Sequence, residues 1–146
     1  MTAQPGSAPA RLLALRLSLF YGAYFLFIGI ALPFWPLWLT SRGLDAAEIG
    51  AVLAGSMWIR VLANPVLAGV ADRWGETRRP LLIFTGAAAL LYLLFAATEG
   101  FWPVFAVTLL STAMVSAVMP LGDSLTMHLS LQGWVQYGRV RLWGSL

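Results

Sequence analysis

Gly69-Val70-Ala71-Asp72-Arg73-Trp74-Gly75-Glu76-Thr77-Arg78-Arg79 is a short polar stretch between two apolar runs. It holds five of the fifteen charged residues in a chain of 146. Each flanking run is long enough to cross a bilayer, whose hydrocarbon core of roughly 30 Å takes about 20 helical residues. A charged connection this short, pinned between two such runs, marks a chain that crosses a membrane more than once.

Composition agrees. The chain is 60% hydrophobic and only 10% charged, where soluble domains carry roughly 25% charged residues. All nine basic residues are arginine. Apart from Arg60 they sit at the ends of apolar runs, not in one stripe, so the net charge of +3 is not the footprint of a nucleic-acid binder. The chain has no cysteine, which excludes disulfides, thiolate metal sites and thiol chemistry. His128 is the single histidine and reads as a loop residue, so no metal site is expected. No phosphate-binding loop and no nucleophile–base set is present. The chain reads as neither an enzyme nor a cofactor carrier.

Backbone groups in lipid must be satisfied internally, so the apolar runs are expected to be helices. Residues 1–10 are small and polar and read as a disordered tail. The apolar run at 17–39 is too long for a secretory signal of about 7–15 apolar residues, so it reads as an uncleaved first span. The spans are expected at about 13–39, 46–70, 80–97 and 103–125. A polar segment follows at 126–136, and a fifth span opens at 138–146. Pro33 and Pro36 are expected to bend or end the first span. Asp45 and Glu48 read as a capping box for the second, and Pro80 and Pro103 suit the start of the third and fourth. Small residues four apart (Ala51 and Gly55, Thr112 and Ser116, Ala113 and Ala117) point to close helix packing.

Orientation follows from arginine placement. With the N-terminus in the cytosol, inner segments hold Arg11, Arg16, Arg73, Arg78, Arg79, Arg139 and Arg141, and outer loops hold only Arg42. Trp35, Trp38 and Trp102 then fall near the outer interface.

Three charges stand out. Arg60 lies near the middle of the second span, where an ionised side chain costs about 2.5–3.5 kcal/mol on insertion scales. It must face a partner or a wet cavity, and packing and function are equally open readings. Asp123, near the inner end of the fourth span, reads either as a headgroup contact or as a proton or substrate site. Arg141, in the opening turns of the fifth span, is expected at a similar depth. An Asp123–Arg141 pair there holds a ligand or holds two helices together. Arg139 points elsewhere and reads as a headgroup or positive-inside residue.

The stretch 69–79 resembles the signature G-x-x-x-D-R-x-G-x-[RK]-[RK] of the major facilitator superfamily, with the basic pair one place later. Leu32-Pro33-Phe34-Trp35-Pro36-Leu37-Trp38-Leu39 is similar to the matching segment of oligosaccharide–proton symporters. The likeness to the phenylpropionate permease-like branch is greater, and extends to Ile49-Gly50, Arg60, Pro120-Leu121-Gly122-Asp123 and Tyr137-Gly138-Arg139-Val140-Arg141-Leu142-Trp143-Gly144-Ser145. The resemblance implies an all-α membrane protein. It would be four transmembrane helices and the start of a fifth, from the N-terminal six-helix half of a twelve-helix, alternating-access transporter in a bacterial inner membrane. It implies that Gly69, Asp72, Arg73, Gly75, Arg78 and Arg79 belong to a cytosolic gate. It also implies that Asp123 and Arg141, with Arg60, touch substrate. Asp123 stands where the sugar symporters have Glu.

The expected function is the N-terminal part of a proton-coupled symporter for a small organic solute: an aromatic acid such as 3-phenylpropionate, or a sugar- or nucleoside-like molecule. Its expected partners are that solute, protons, the lipid bilayer and a C-terminal half absent from this chain. The alternatives are an exporter of hydrophobic compounds and, in another class, a small membrane scaffold.

Overall fold

A computed structural model describes residues 8–142. Its elements, in order, are α1 (Ala8–Ser41), α2 (Ala46–Arg73), α3 (Arg78–Leu94) with a 3-10 turn at Phe95–Ala97, α4 (Phe101–Leu131) and α5 (Tyr137–Leu142). Among the described residues four helices are long and apolar enough to cross a membrane. Met57, Trp58, Val61, Leu62 and Val66 of α2 are all exposed, a contiguous apolar surface that water disfavours and lipid accepts. The protein is a multi-pass membrane protein.

Several boundaries differ from the sequence reading. The helix α1 starts at Ala8, so residues 8–10 of the expected tail are helical. Residues 1–7 of that tail, and 143–146 of the expected fifth span, lie outside the described residues. Helix α1 also runs through Pro33 and Pro36 to Ser41 and is not ended by them. Each proline removes one N–H from the ladder. Leaving the helix in lipid would strand several backbone groups, so staying helical costs less. The polar residues 126–131, expected to lie outside the fourth span, extend α4 to Leu131. Pro80 and Pro103 sit at the third helical position rather than the first. Both still fall in the first turn, where N–H groups lack intrahelical partners.

The ends of α1 and α4 share one geometry. After α1, Gly43 takes φ +80°, Leu44 N–H donates to the Leu39 carbonyl and Gly43 N–H to Thr40. After α4, Gly133 takes φ +79°, with Trp134 N–H donating to Leu129 and Gly133 N–H to Ser130. These are paired Schellman closures, which need a left-handed residue and satisfy the last carbonyls. Helix α2 opens on the expected capping box: the Glu48 N–H donates to Asp45 Oδ1 at 2.8 Å, and the Asp45 N–H to Glu48 Oε2 at 3.0 Å.

The chain divides into two compact units, Pro36–Gly122 and the residues before and after it. In the Pro36–Gly122 unit, Gly55 of α2 lies against α4. A Cβ built on it would come within 2.9 Å of Phe105, closer than real contacts permit. Here the small residue does bring two helices together, as its spacing implied. Val52 of α2, Phe84 of α3 and Val104, Ala113 and Ala117 of α4 are buried in this unit. Arg42, in the α1–α2 turn, reaches the end of the 3-10 turn. Its guanidinium donates to the carbonyls of Phe95 at 3.2 Å and Thr98 at 3.3 Å, and its carbon lies 4.9 Å from the Trp38 ring centroid. Trp38 in turn meets Phe95 edge-on. The one arginine assigned to an outer loop thus reaches carbonyls at the C-terminal end of the 3-10 turn, a favoured place for a cation.

Candidate functional site

The second unit, formed by residues up to Trp35 and from Asp123 onward, gathers the polar side chains. Tyr21 of α1 and Thr126 of α4 are both fully buried. Tyr21 Oη donates to Asp123 Oδ1 at 2.7 Å and lies 3.2 Å from Thr126 Oγ1. Tyr137, at the first position of α5, donates to the same Asp123 oxygen at 3.2 Å. Arg141 lies one turn further along α5 and donates to the Tyr137 hydroxyl. Its second terminal nitrogen stands 3.8 Å from Asp123 Oδ2.

This arrangement follows from helix geometry. Residues 137 and 141 are four apart and share a face, so one turn of α5 presents a phenol and a guanidinium together. The Schellman turn at Gly133 reverses the chain and brings that face back to Asp123. The two oxygens of Asp123 then have different lives. Oδ1 is held by two phenols. Among the described residues Oδ2 has only a long ion pair whose members remain 29% (Asp123) and 47% (Arg141) exposed. An exposed ion pair of this length contributes little to stability. Arg141 keeps donors uncommitted, since a guanidinium carries five.

Of the expected binding residues, the fold therefore brings Asp123 and Arg141 together. Arg60 stands exposed near the middle of α2, in the other unit, with no ion-pair partner among the described residues. Tyr21, Thr126 and Tyr137 were not singled out from sequence. Tyr137 was in principle visible, four residues before Arg141. Tyr21 carried no signal, because it meets Asp123 across 102 positions.

The stretch 69–79 proves mostly helical. Gly69, Asp72 and Arg73 belong to the C-terminal end of α2, and Arg78 and Arg79 to the first turn of α3. The connection itself is four residues, 74–77. Gly75 takes φ +63° and its N–H donates to the Asp72 carbonyl at 3.1 Å, which accounts for glycine there. Arg79 pairs with Glu76 at 3.0 Å, both exposed. Asp72, Arg73 and Arg78 are exposed and unpaired among the described residues.

A family model described as MFS_1 like family matches residues 14–146. The chain belongs to that family, a branch of the major facilitator superfamily. Over 136 residues it is 37% identical to a protein of Escherichia coli K12 named "Probable 3-phenylpropionic acid transporter", covering 89% of this chain and 34% of that protein. It is 36% identical over 133 residues to the "Maltose permease" of Geobacillus stearothermophilus, covering 88% and 33%. An uncharacterized transporter of Bacillus subtilis is 24% identical over 128 residues, covering 87% and 32%. The chain spans about a third of the length of these curated relatives. No solved structure matches it at a significant level. The relatives are named as transporters and a permease, not as enzymes. The family and the four apolar helices fit the expected N-terminal half of a major facilitator fold.

Proposed function

We propose that this sequence is the N-terminal part of a proton-coupled symporter for a small organic acid, in a bacterial inner membrane with the N-terminus in the cytosol. The observation that carries the reading is the Asp123–Arg141 pair: loose, half-exposed, and braced from behind by two phenols. When a carboxylate solute takes Arg141 as a bidentate partner, Asp123 keeps its bonds to Tyr21 and Tyr137. Neither charge is then stranded. A rigid, fully satisfied ion pair could not be opened so cheaply. Transport would proceed by alternating access around a site near the midplane, completed by a C-terminal half beyond this chain. Arg60, exposed at mid-span, would face that cavity or that half. Gly69, Asp72, Arg73, Gly75, Arg78 and Arg79 would form one side of the cytosolic gate, with the unpaired charges of that stretch as its contacts.

The test is uptake of labelled 3-phenylpropionate by the full-length protein in vesicles carrying an imposed proton gradient. Accumulation should collapse with the gradient, and uptake indifferent to it would refute coupling. Replacing Arg141 with Ala should abolish solute binding, and unchanged affinity would remove Arg141 from the site.

A sugar is the second reading, because identity to the maltose permease is nearly the same. Asp123→Asn separates the two. An acid needs only the cation and should bind at least as well to the variant. A sugar uses the carboxylate as a hydroxyl acceptor and should bind worse.

A further inference from the structure

We propose that the chain carries a binding site for the headgroup of an anionic phospholipid, separate from the solute site. A cavity of about 650 Å³ opens between the start of α1 and the α4–α5 turn, lined by Arg11, Ala14, Ser130, Trp134, Gln136 and Arg139 among others. That volume is ample for a small polar group. Two guanidinium groups line it and no carboxylate does. Neither Arg11 nor Arg139 has an ion-pair partner among the described residues, and both are exposed. Two arginines lining one cavity with no acidic residue among its lining residues offer an anion two cations at once. Ser130 and Gln136 add neutral hydrogen-bonding groups suited to the hydroxyls of a glycerol headgroup.

Depth selects a lipid over a soluble anion. The first span is expected from about residue 13, two residues after Arg11, a rise of about 3 Å. Arg11 therefore lies just outside the hydrocarbon edge, at phosphate level. The half-buried indole of Trp134 belongs at the same level, where amphipathic rings settle. Basic pockets between membrane helices on the cytoplasmic side are places where anionic headgroups bind. The fold supplies the pocket by the same Gly133 turn that returns α5 to Asp123. Arg139 faces this cavity, while Arg141, two residues on, faces the solute site.

Native mass spectrometry of the intact, delipidated protein, titrated with dioleoyl phosphatidylglycerol and with dioleoyl phosphatidylcholine, tests the proposal. Phosphatidylglycerol should be retained preferentially, and equal retention of the two would overturn the idea without any variant. Each surface-proximal arginine should contribute about five-fold in affinity, so Arg11→Gln with Arg139→Gln should weaken phosphatidylglycerol binding by about thirty-fold. Arg16→Gln removes an exposed arginine of the same helix that does not line the cavity, and should change binding little. A loss with Arg16→Gln as large as with the double variant would mean diffuse surface attraction and refute the site. Displacement of phosphatidylglycerol by millimolar inorganic phosphate would reassign the cavity to a soluble anion. The readout does not involve uptake, so it stands or falls separately from the transport reading.

Discussion

Arg42→Ala should loosen the α3–α4 connection by about 2 kcal/mol, as the geometry of the clasp allows. The guanidinium makes two hydrogen bonds, to the carbonyls of Phe95 and Thr98. In soluble proteins a bond to a charged group contributes about 1.5–3 kcal/mol. In membrane proteins interhelical bonds average only about 0.6 kcal/mol, and Arg42 is partly exposed, so water can replace part of each. About 0.7 kcal/mol per bond is a fair middle for this interfacial position. The contact with Trp38 adds about 0.5–1 kcal/mol, as expected for a cation over an indole at a wet site. The assay is amide hydrogen exchange of the full-length protein, read on peptides covering residues 95–100. A loss of about 2 kcal/mol accelerates local exchange by about thirty-fold. Arg42→Lys keeps a charge over Trp38 but cannot reach two carbonyls with a planar fork, so it should fall between the two. Unchanged exchange in the alanine variant, or identical exchange in the lysine variant and the wild type, would refute the clasp.

Other perturbations give equally definite expectations. Gly55→Val should clash with Phe105 and Leu109 and destabilise by about 1–3 kcal/mol; a thermal midpoint within error of wild type would show that α2 and α4 do not approach so closely. Asp45→Ala removes the capping box and should lower stability by about 1 kcal/mol, with Asp45→Asn recovering most of it in the same melt. Tyr21→Phe deletes the 2.7 Å bond to Asp123, which frees the carboxylate to compete with the solute for Arg141, and should weaken solute affinity by about five-fold, or about 1 kcal/mol; unaltered solute binding would confine Tyr21 to packing. Gly133→Ala forces a side chain into φ +79°, costing about 1–2 kcal/mol, and should loosen both the α5 face and the basic cavity, measurable as faster exchange over residues 129–137.

The number of spans and their approximate centres were legible because a run of apolar residues has few alternatives in lipid. The joint placement of Asp123 and Arg141 was also legible, since both lie within one turn-linked segment where spacing constrains depth. What escaped reading depended on cost comparisons that a motif does not express. Pro33 and Pro36 look like breakers in water, but in a bilayer the helix is the least expensive state even with two ladder bonds missing. Thr126–Leu131 look like a loop by polarity, yet the signal that ends α4 is Gly133, two residues past the helix. The same applied at Gly43 after α1. Tyr21 was invisible for a different reason: its partners are distant in sequence and nothing local distinguishes it from a lipid-facing aromatic. Arg42 was read as an exception to the charge bias, and its purpose needed the coordinates of carbonyls more than fifty residues away.

The bond between Tyr21 and Asp123 also bears on how the chain is assembled during synthesis. Translation at about 5–20 residues per second separates the two side chains, 102 positions apart, by roughly 5–20 s. The first helix is thus already made when the fourth leaves the ribosome carrying a carboxylate toward its C-terminal end, where an unpartnered charge costs less than the roughly 2.5–3.5 kcal/mol of a helix centre but is still unfavourable. A first helix still beside the translocon offers that carboxylate a buried phenol as it arrives; one that has diffused away offers nothing. On that account the early helix would serve as an intramolecular receptor for a later one, through a single hydroxyl.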